Sequence, residues 1–355
     1  MLGRGLDQIL PHPGDPRLHE PLVRSAAEYV RLAEAVNGPI SRAVAFDYVW
    51  GDALPELAHA KPHARIINLE TSVTKSAAYL PKGINYKMNP ENVACLTAAA
   101  IDCCVLGNNH VLDFGRAGLL ETLDTLHRAA IKTAGAGRNL AEARDPAIID
   151  LPGGGRVLVF GFGHRSSGIP PDWAAGPDNP GVDLLVDLSD RTLAGLADRV
   201  QSARRAGDLL IGSIHWGGNW GYAIFAAERN FAHRLVDAGF DVVHGHSSHH
   251  PKAIEVYRDR LVLYGCGDFL NDYEGISGYE EYRGELSLMY LPRLSATTGR
   301  LIDLRLVPFK IARFQLRRAP VADAMWLQQR LDAASQPFGV EVGLDSDAAL
   351  LARSK

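Results

Sequence analysis

Side chains able to bind a metal ion or move a proton recur just past short apolar runs of this sequence. Glu70 follows the Ile66-Ile67 run, Asn109 and His110 follow Cys103 to Leu106, and His215 follows Leu209 to Ile214. His244 and His246 follow Asp241 to Val243, and Asp268 follows Leu261 to Tyr264 after a Gly-Cys-Gly turn. Runs of this length read as strands buried on both faces. Open α/β sheets gather ligands at the carboxyl ends of such strands, so these groups are expected to converge on one rim. Carboxylate, amide oxygen and imidazole together suit Mn²⁺, Fe²⁺ or Zn²⁺ rather than Ca²⁺. The set contains no cysteine, which argues against a structural zinc site. Two such ions would clamp a phosphoester and polarise a water, while an unligated histidine protonated the leaving group.

Each group also has an ordinary reading. Asn108, Asn109 and His110 would serve a plain β-α turn, with the asparagines in left-handed backbone. Glu70 alone would suit a helix N-terminus or a salt bridge. His249 and His250 read equally as surface polar residues, and His164 as a cap on the strand before it. Trp216 and Trp220 would form either a stacking wall for substrate or part of the core. Tyr79 to Asn89, with Lys82, Tyr86 and Lys87, would line a cleft mouth or lie in solvent. His12, His19, His59, His63, His127 and His233 read as ordinary structural or surface residues.

The elements that must position these groups alternate between strand and helix, the pattern of a parallel sheet covered by helices. Helices are expected over Leu22–Ala35, Gly51–Leu57, Pro90–Ala100, Gly118–Ala130, Ser189–Ala206 and Glu228–Ala238. Met1 to Leu10 reads as a loop around Gly3-Arg4-Gly5. Ser166 to Gly181 is a long Pro/Gly-rich loop, a length usual for lids and surface elaborations. Beyond Glu285 the pattern turns antiparallel, in LSLMYLP and LIDLRLVPF, and a last helix over Ala322–Ala333 closes the chain.

With 355 residues the chain can bury a sizeable core. A formal net charge of −4 announces no polyanion-binding face, so nucleic acid is excluded as a partner. Four cysteines, Cys95, Cys103, Cys104 and Cys266, show no CxxC spacing and read as buried thiols of a reducing compartment. No window reaches the roughly 18 apolar residues of a membrane span, and the first residues lack a signal-peptide pattern. A cytoplasmic location is the expectation; the oligomeric state is left open.

At these residues the sequence resembles the CapA-type poly-γ-glutamate capsule-synthesis proteins, a branch of the calcineurin-like metallophosphoesterase superfamily. The matching pieces are NLETSVT (68–74), LGNNHVLDFGRAGLLETLDTL (106–126), TAGAGRNLAEAR (133–144), SIHWGGNW (213–220), GFDVVHGHSSHHP (239–251) and LVLYGCGDF (261–269). The resemblance implies a four-layer α/β/β/α sandwich spanning 1–355 as one domain, with residues 310–355 as a C-terminal extension. It implies that Glu70 bridges two metals, that Asn109, His215 and His246 hold one of them, and that His110 is the acid/base group. His244 joins the metal candidates from the strand-end pattern, and Asn109 and His215 join His110 as catalytic candidates. Arg4, Asn108, Trp216, His249 and Asp268 are the expected substrate contacts.

Two departures from the family pattern stand out. The family opens with a strand and a Gly-Asp pair before the Met-Leu-Gly-Arg that is here residues 1–4. The Asp is a metal ligand, so the first metal position is expected to be truncated away or defective. The last metal-binding histidine of the superfamily aligns with Lys252 unless His249 or His250 supplies the imidazole. The expected activity is metal-assisted hydrolysis of a phosphoester or an amide-linked peptide or polymer, with one or two ions. The alternatives are metal-independent acid/base chemistry of the epimerase type, or a non-catalytic part in a polymer synthesis or export assembly.

Overall fold

The structure is a computed structural model and describes residues 1–355. It is a mixed α/β fold with several sheets and antiparallel strands toward the C-terminus. A small parallel sheet places Cys103–Val105 between Ile66–Asn68 and Lys132–Ala134. A larger sheet runs Leu184–Leu185, Arg156–His164, Leu209–His215, Val242–His246, Arg260–Leu263 and Ile254–Tyr257. Only Ile254–Tyr257 and Ala147–Asp150 are antiparallel within it.

Alternation along the strands sorts side chains between faces. Cys104 and Leu106 pack with Leu119, Leu123 and Leu126 of helix Gly115–Arg128. Cys103 and Val105 point the other way, onto Val157 and Val159 of the larger sheet. Leu158, Phe160 and Phe162 then face helices Asp190–Ala203 and Ala226–Asp237, meeting Leu196, Val200, Phe231 and Leu235. A strand with an apolar partner on each face must be apolar throughout, which is why these runs show no polar alternation. Each fully buried side chain of this size contributes about 1.5–3 kcal/mol through lost water contact.

The two sheets touch where side chains are absent. A Cβ on Gly107 would lie 3.0 Å from the carbonyl carbon of Phe162, and one on Gly161 would lie 2.8 Å from that of Ala134. Glycine at both positions lets the backbones approach, and this draws the turn after Val105 toward the end of strand Leu209–His215.

Several elements differ from the expectation. Gly5–Ile9 is a helix with almost every residue buried, rather than a loop. Five residues cannot display a helical period, and tertiary burial decides their conformation. Pro90–Ala100 divides into a 3-10 turn, Pro90–Val93, capped by Asn89, and a short helix, Ala94–Ala98. His244 and His246 lie inside strand Val242–His246, not past its end. The helix Val321–Ser335 does not close the chain, because strands Val340–Leu344 and Leu350–Ser354 follow it. The last strand pairs with Leu301–Ala312, so the residues after 310 build onto the antiparallel sheet begun by Leu286–Leu294. All four cysteines are free. Burial pushes the Cys95 and Cys103 thiols up to about 12, which leaves them unreactive.

Candidate functional site

The turn after Val105 is clasped by Asn108. Its Oδ1 accepts from the backbone N–H of His110 and of Val111, both at 3.1 Å. Its Nδ2 donates to Asn68 Oδ1 at 3.0 Å and to the Leu69 carbonyl at 2.9 Å. Asn108 is fully buried, so its side chain ties two strand ends together instead of facing a ligand. The next two side chains, Asn109 and His110, are thereby aimed at Glu70 and His215.

His110 is held from behind. Its Nδ1 lies 2.7 Å from Asp113 Oδ2, and the edge-on ring of Tyr86 packs 4.6 Å away. Lys82 Nζ sits 2.7 Å from the other oxygen of Asp113 and also donates to the Asn109 carbonyl. A carboxylate accepting from Nδ1 leaves Nε2 as the atom free to exchange a proton. That Nε2 faces Glu70 Oε1 at 4.0 Å. Asp113 and Lys82 are absent from the expected site. Asp113 was detectable as a carboxylate three residues after a candidate acid/base group, and Lys82 lies in the polar stretch read as a cleft mouth.

His215 occupies the centre. Its Nε2 is 3.1 Å from Asn109 Oδ1 and 3.8 Å from Glu70 Oε1, while its Nδ1 meets His246 Nδ1 at 2.7 Å. Burial pulls His215 down to about 4 against the opposing pull of Glu70. Burial pushes the Glu70 carboxyl up, but His215 and His110 outweigh it and hold the group below its ordinary value. His246 turns its Nε2 to Ser213 Oγ at 3.1 Å, and His244 turns its Nδ1 to the same hydroxyl at 2.8 Å. Both histidines therefore stand behind His215 rather than beside Asn109. Ser213 is a third residue that sequence reasoning missed, although it shares a strand face with His215.

A second cluster adjoins the first. His249 Nδ1 lies 3.1 and 3.2 Å from the two oxygens of Asp268, and Asn271 Nδ2 donates to Asp268 at 3.0 Å. Burial lowers His249, but Asp268 more than offsets this and raises it. His250 Nδ1 donates to the Pro251 carbonyl at 3.1 Å. Of the remaining expected substrate contacts, Arg4 is buried and spends its guanidinium on Asp272, Glu20 and Tyr29. Trp216 lies in the core, 3% exposed, with its Nε1 donating to the Tyr264 carbonyl at 3.0 Å. Both are internal because their polar atoms find protein partners there. Trp220, by contrast, stacks on exposed Tyr279 with ring centroids 4.2 Å apart.

No three His, Cys, Asp or Glu side chains form a metal-holding group. The donors that come nearest to one point include an amide: Asn109 Oδ1, His215 Nε2 and Glu70 Oε1. Ligands on bonds of about 2.0–2.2 Å stand about 3–3.5 Å apart, and the 3.1 and 3.8 Å separations here are close to that spacing. These residues fit one ion. His246 does not join them, because the atom it presents to His215 is spent on that ring.

The profile of the family described as "Bacterial capsule synthesis protein PGA_cap" matches residues 1–273. The chain belongs to this capsule synthesis family. A "Probable polyglutamine synthesis accessory protein" of Mycobacterium tuberculosis is 47% identical over 344 residues, covering 96% of this chain and 90% of that protein. The "PGA biosynthesis protein CapA" of Bacillus subtilis is 26% identical over 212 residues, or 58% of this chain and 52% of that one. Among solved structures, a 5'-nucleotidase precursor from Thermus thermophilus aligns with TM-score 0.40 and 15% identity, over 69% of this chain and 44% of that one. The span matched by the capsule synthesis family contains Glu70, Asn109, His110 and His215. No helix of this family member is long and apolar enough to cross a membrane.

Proposed function

We propose that this member of the capsule synthesis family is a hydrolase acting on an amide or phosphoester bond of a small molecule, peptide or polymer, with His110 as its acid/base group. The observation that carries the reading is His110 fixed at Nδ1 by Asp113, with Nε2 turned toward Glu70. Asp113 holds the imidazole in one tautomer and stabilises the imidazolium formed when Nε2 takes a proton. Lys82 neutralises Asp113 and pins the Asn109 carbonyl, which sets the direction of the Asn109 side chain. Glu70 accepts a hydrogen bond from the attacking water and orients it toward the scissile group, while His110 Nε2 takes the water's other proton as it attacks and the resulting imidazolium delivers that proton to the leaving atom. His249, which Asp268 raises above its ordinary value, presents its remaining ring nitrogen as a hydrogen-bond donor to an acidic substrate.

Glu70, Asn109 and His215 are the residues that would hold a divalent ion, Mn²⁺, Fe²⁺ or Zn²⁺. Such an ion supplies polarisation of the scissile oxygen and a more acidic water. A second reading, acid/base chemistry without a metal, is favoured by His110 itself, whose Asp113 partner and free Nε2 suffice for proton transfer.

The test is a screen of γ-glutamyl peptides and phosphodiesters with the purified chain and with His110→Asn, each with and without chelator. Hydrolysis lost in His110→Asn supports the proposal, and survival in chelator selects the metal-independent reading. Hydrolysis by neither protein points instead to a non-catalytic part in polymer synthesis.

A further inference from the structure

Tyr279 lies flat on Trp220, with ring centroids 4.2 Å apart and planes 9° from parallel. Tyr282 lies on His250 in the same way, at 4.6 Å and 25°. Both tyrosines belong to the largely exposed segment 275–284, whose two ends are anchored. Glu274, just before it, accepts from the backbone N–H of Arg313 at 2.7 Å and of Phe314 at 2.6 Å. At the far end Arg283 pairs with Asp323 at 2.9 Å, and the Gly284 carbonyl accepts from Asn271 Nδ2 at 3.1 Å. Between these anchors, no hydrogen bond or ion pair of residues 276–282 reaches beyond residues 273–283. The chain bends at Gly275 and Gly278, which stand at positive φ of 81° and 106°. The middle of the segment is therefore tied to the body by ring contacts and not by polar bonds.

The rings beneath it belong to the edge of the cleft. Trp220 packs on His249 with centroids 5.4 Å apart, and the His249 backbone N–H donates to the Asn219 carbonyl at 3.0 Å. His249 is only 6% exposed, so a substrate that contacts its ring needs this cover to move. His250 is 1% exposed; its Nδ1 is spent on the Pro251 carbonyl, and no group meets its Nε2. A buried acceptor without a partner costs its full desolvation penalty, and lifting Tyr282 returns that nitrogen to water. Closure thus sets a few ring contacts against one orphaned atom, a balance suited to a segment that opens locally. The long loop 166–181 is no rival as a lid. Its Ile169 and Trp173 sit in the core, and Ser167 Oγ donates to the His215 carbonyl at 3.1 Å.

We infer that residues 275–284 are a strap, latched over the His249 edge of the cleft by Tyr279 on Trp220, and that it lifts to admit substrate. Lifting uncovers a flat indole face and an acceptor nitrogen beside the His249 ring. The inference rests on the proposed site for what is admitted, but the latch exists whether or not that reaction does.

The test treats the full-length chain with diethyl pyrocarbonate, which acylates an imidazole nitrogen bearing a free lone pair. Peptide mass spectrometry reads the rate at His250 against exposed His59 as the internal reference. In the native chain His250 is expected to react far more slowly than His59. Tyr279→Ala leaves the Tyr282 ring in place, so it can speed His250 only by loosening the strap. The expected gain is about 2- to 12-fold, the share of closure that one aromatic pair holds, with the His59 rate unchanged. Tyr279→Phe, which keeps the stack, is expected to react as the native chain does. Tyr282→Ala removes the ring lying on His250 and sets the rate of the uncovered state. An unchanged His250 rate in Tyr279→Ala, or an equal gain in Tyr279→Phe, would overturn the inference. If the native chain hydrolyses nothing while the His250 rates shift as expected, the hydrolase reading fails and the strap stands.

Discussion

Asp268→Asn is the perturbation whose consequence the structure defines most fully. The carboxylate is nearly buried against His249, at 3.1 and 3.2 Å, and the substitution keeps its shape while removing its charge. Breaking a buried pair by neutralising one partner costs about 3–5 kcal/mol, chiefly because the other charge is left uncompensated. Histidine can escape that penalty by releasing its proton, so the loss depends on pH. His249 is raised in the fold, so its contribution is full below the unfolded value of about 6.5 and fades as pH rises through the folded value. Asp268 is lowered, burial being outweighed by His249, so its own contribution disappears only in acid. Urea unfolding of native chain and variant should therefore give the full loss at about pH 6. As pH rises above the folded value of His249 the loss should shrink to about 1.5–3 kcal/mol, that of a hydrogen bond to a charged group. His249→Gln combined with Asp268→Asn should cost less than the sum of the single changes, since both remove one interaction. A loss that does not diminish as pH rises, or simple additivity, would refute the ion pair.

Other consequences are more quickly stated. Asp113→Asn should lower turnover of any substrate found by about 10²–10⁴-fold, the usual share of acid/base assistance, in steady-state assays. Elemental analysis of purified chain beside His215→Ala should show near-stoichiometric Mn, Fe or Zn in the first and loss in the second; equal content in both would remove His215 from the ion. Gly161→Ala forces a Cβ to 2.8 Å from the Ala134 carbonyl carbon, and should lower stability by about 1–3 kcal/mol in chemical unfolding. It should also cut activity about 100-fold, by shifting the Asn109 turn against His215. His215 and His244, each held near 4 by burial against about 6.5 unfolded, remain neutral while the unfolded chain takes up protons. Stability should thus fall steadily as pH drops from about 6.5 toward 4, by about 3 kcal/mol for each group; a flat profile over that range would contradict the burial.

The rim of polar strand ends was legible because two constraints speak through one stretch of sequence. A strand buried on both faces must be apolar, so the first polar residue after it marks where the sheet stops and a ligand can approach. That logic put Glu70, Asn109, His110 and His215 on one rim, and the structure brings these four side chains together. It failed for residues whose role is set by a partner remote in sequence. Lys82 reaches Asp113 across 31 residues of chain, and nothing in its own neighbourhood distinguishes it from a solvated lysine. Residue type misled at Arg4 and Trp216, because a guanidinium or an indole that suits a ligand suits a buried carboxylate or carbonyl equally well. His246 illustrates the intermediate case. Its position at a strand end identified it as a member of the site, yet the ladder pairs it with His215, so its ring supports that histidine from behind. Position in a strand thus reports which rim a residue joins. Whether it touches the ligand or holds the residue that does is decided by the register between strands, which no single strand carries.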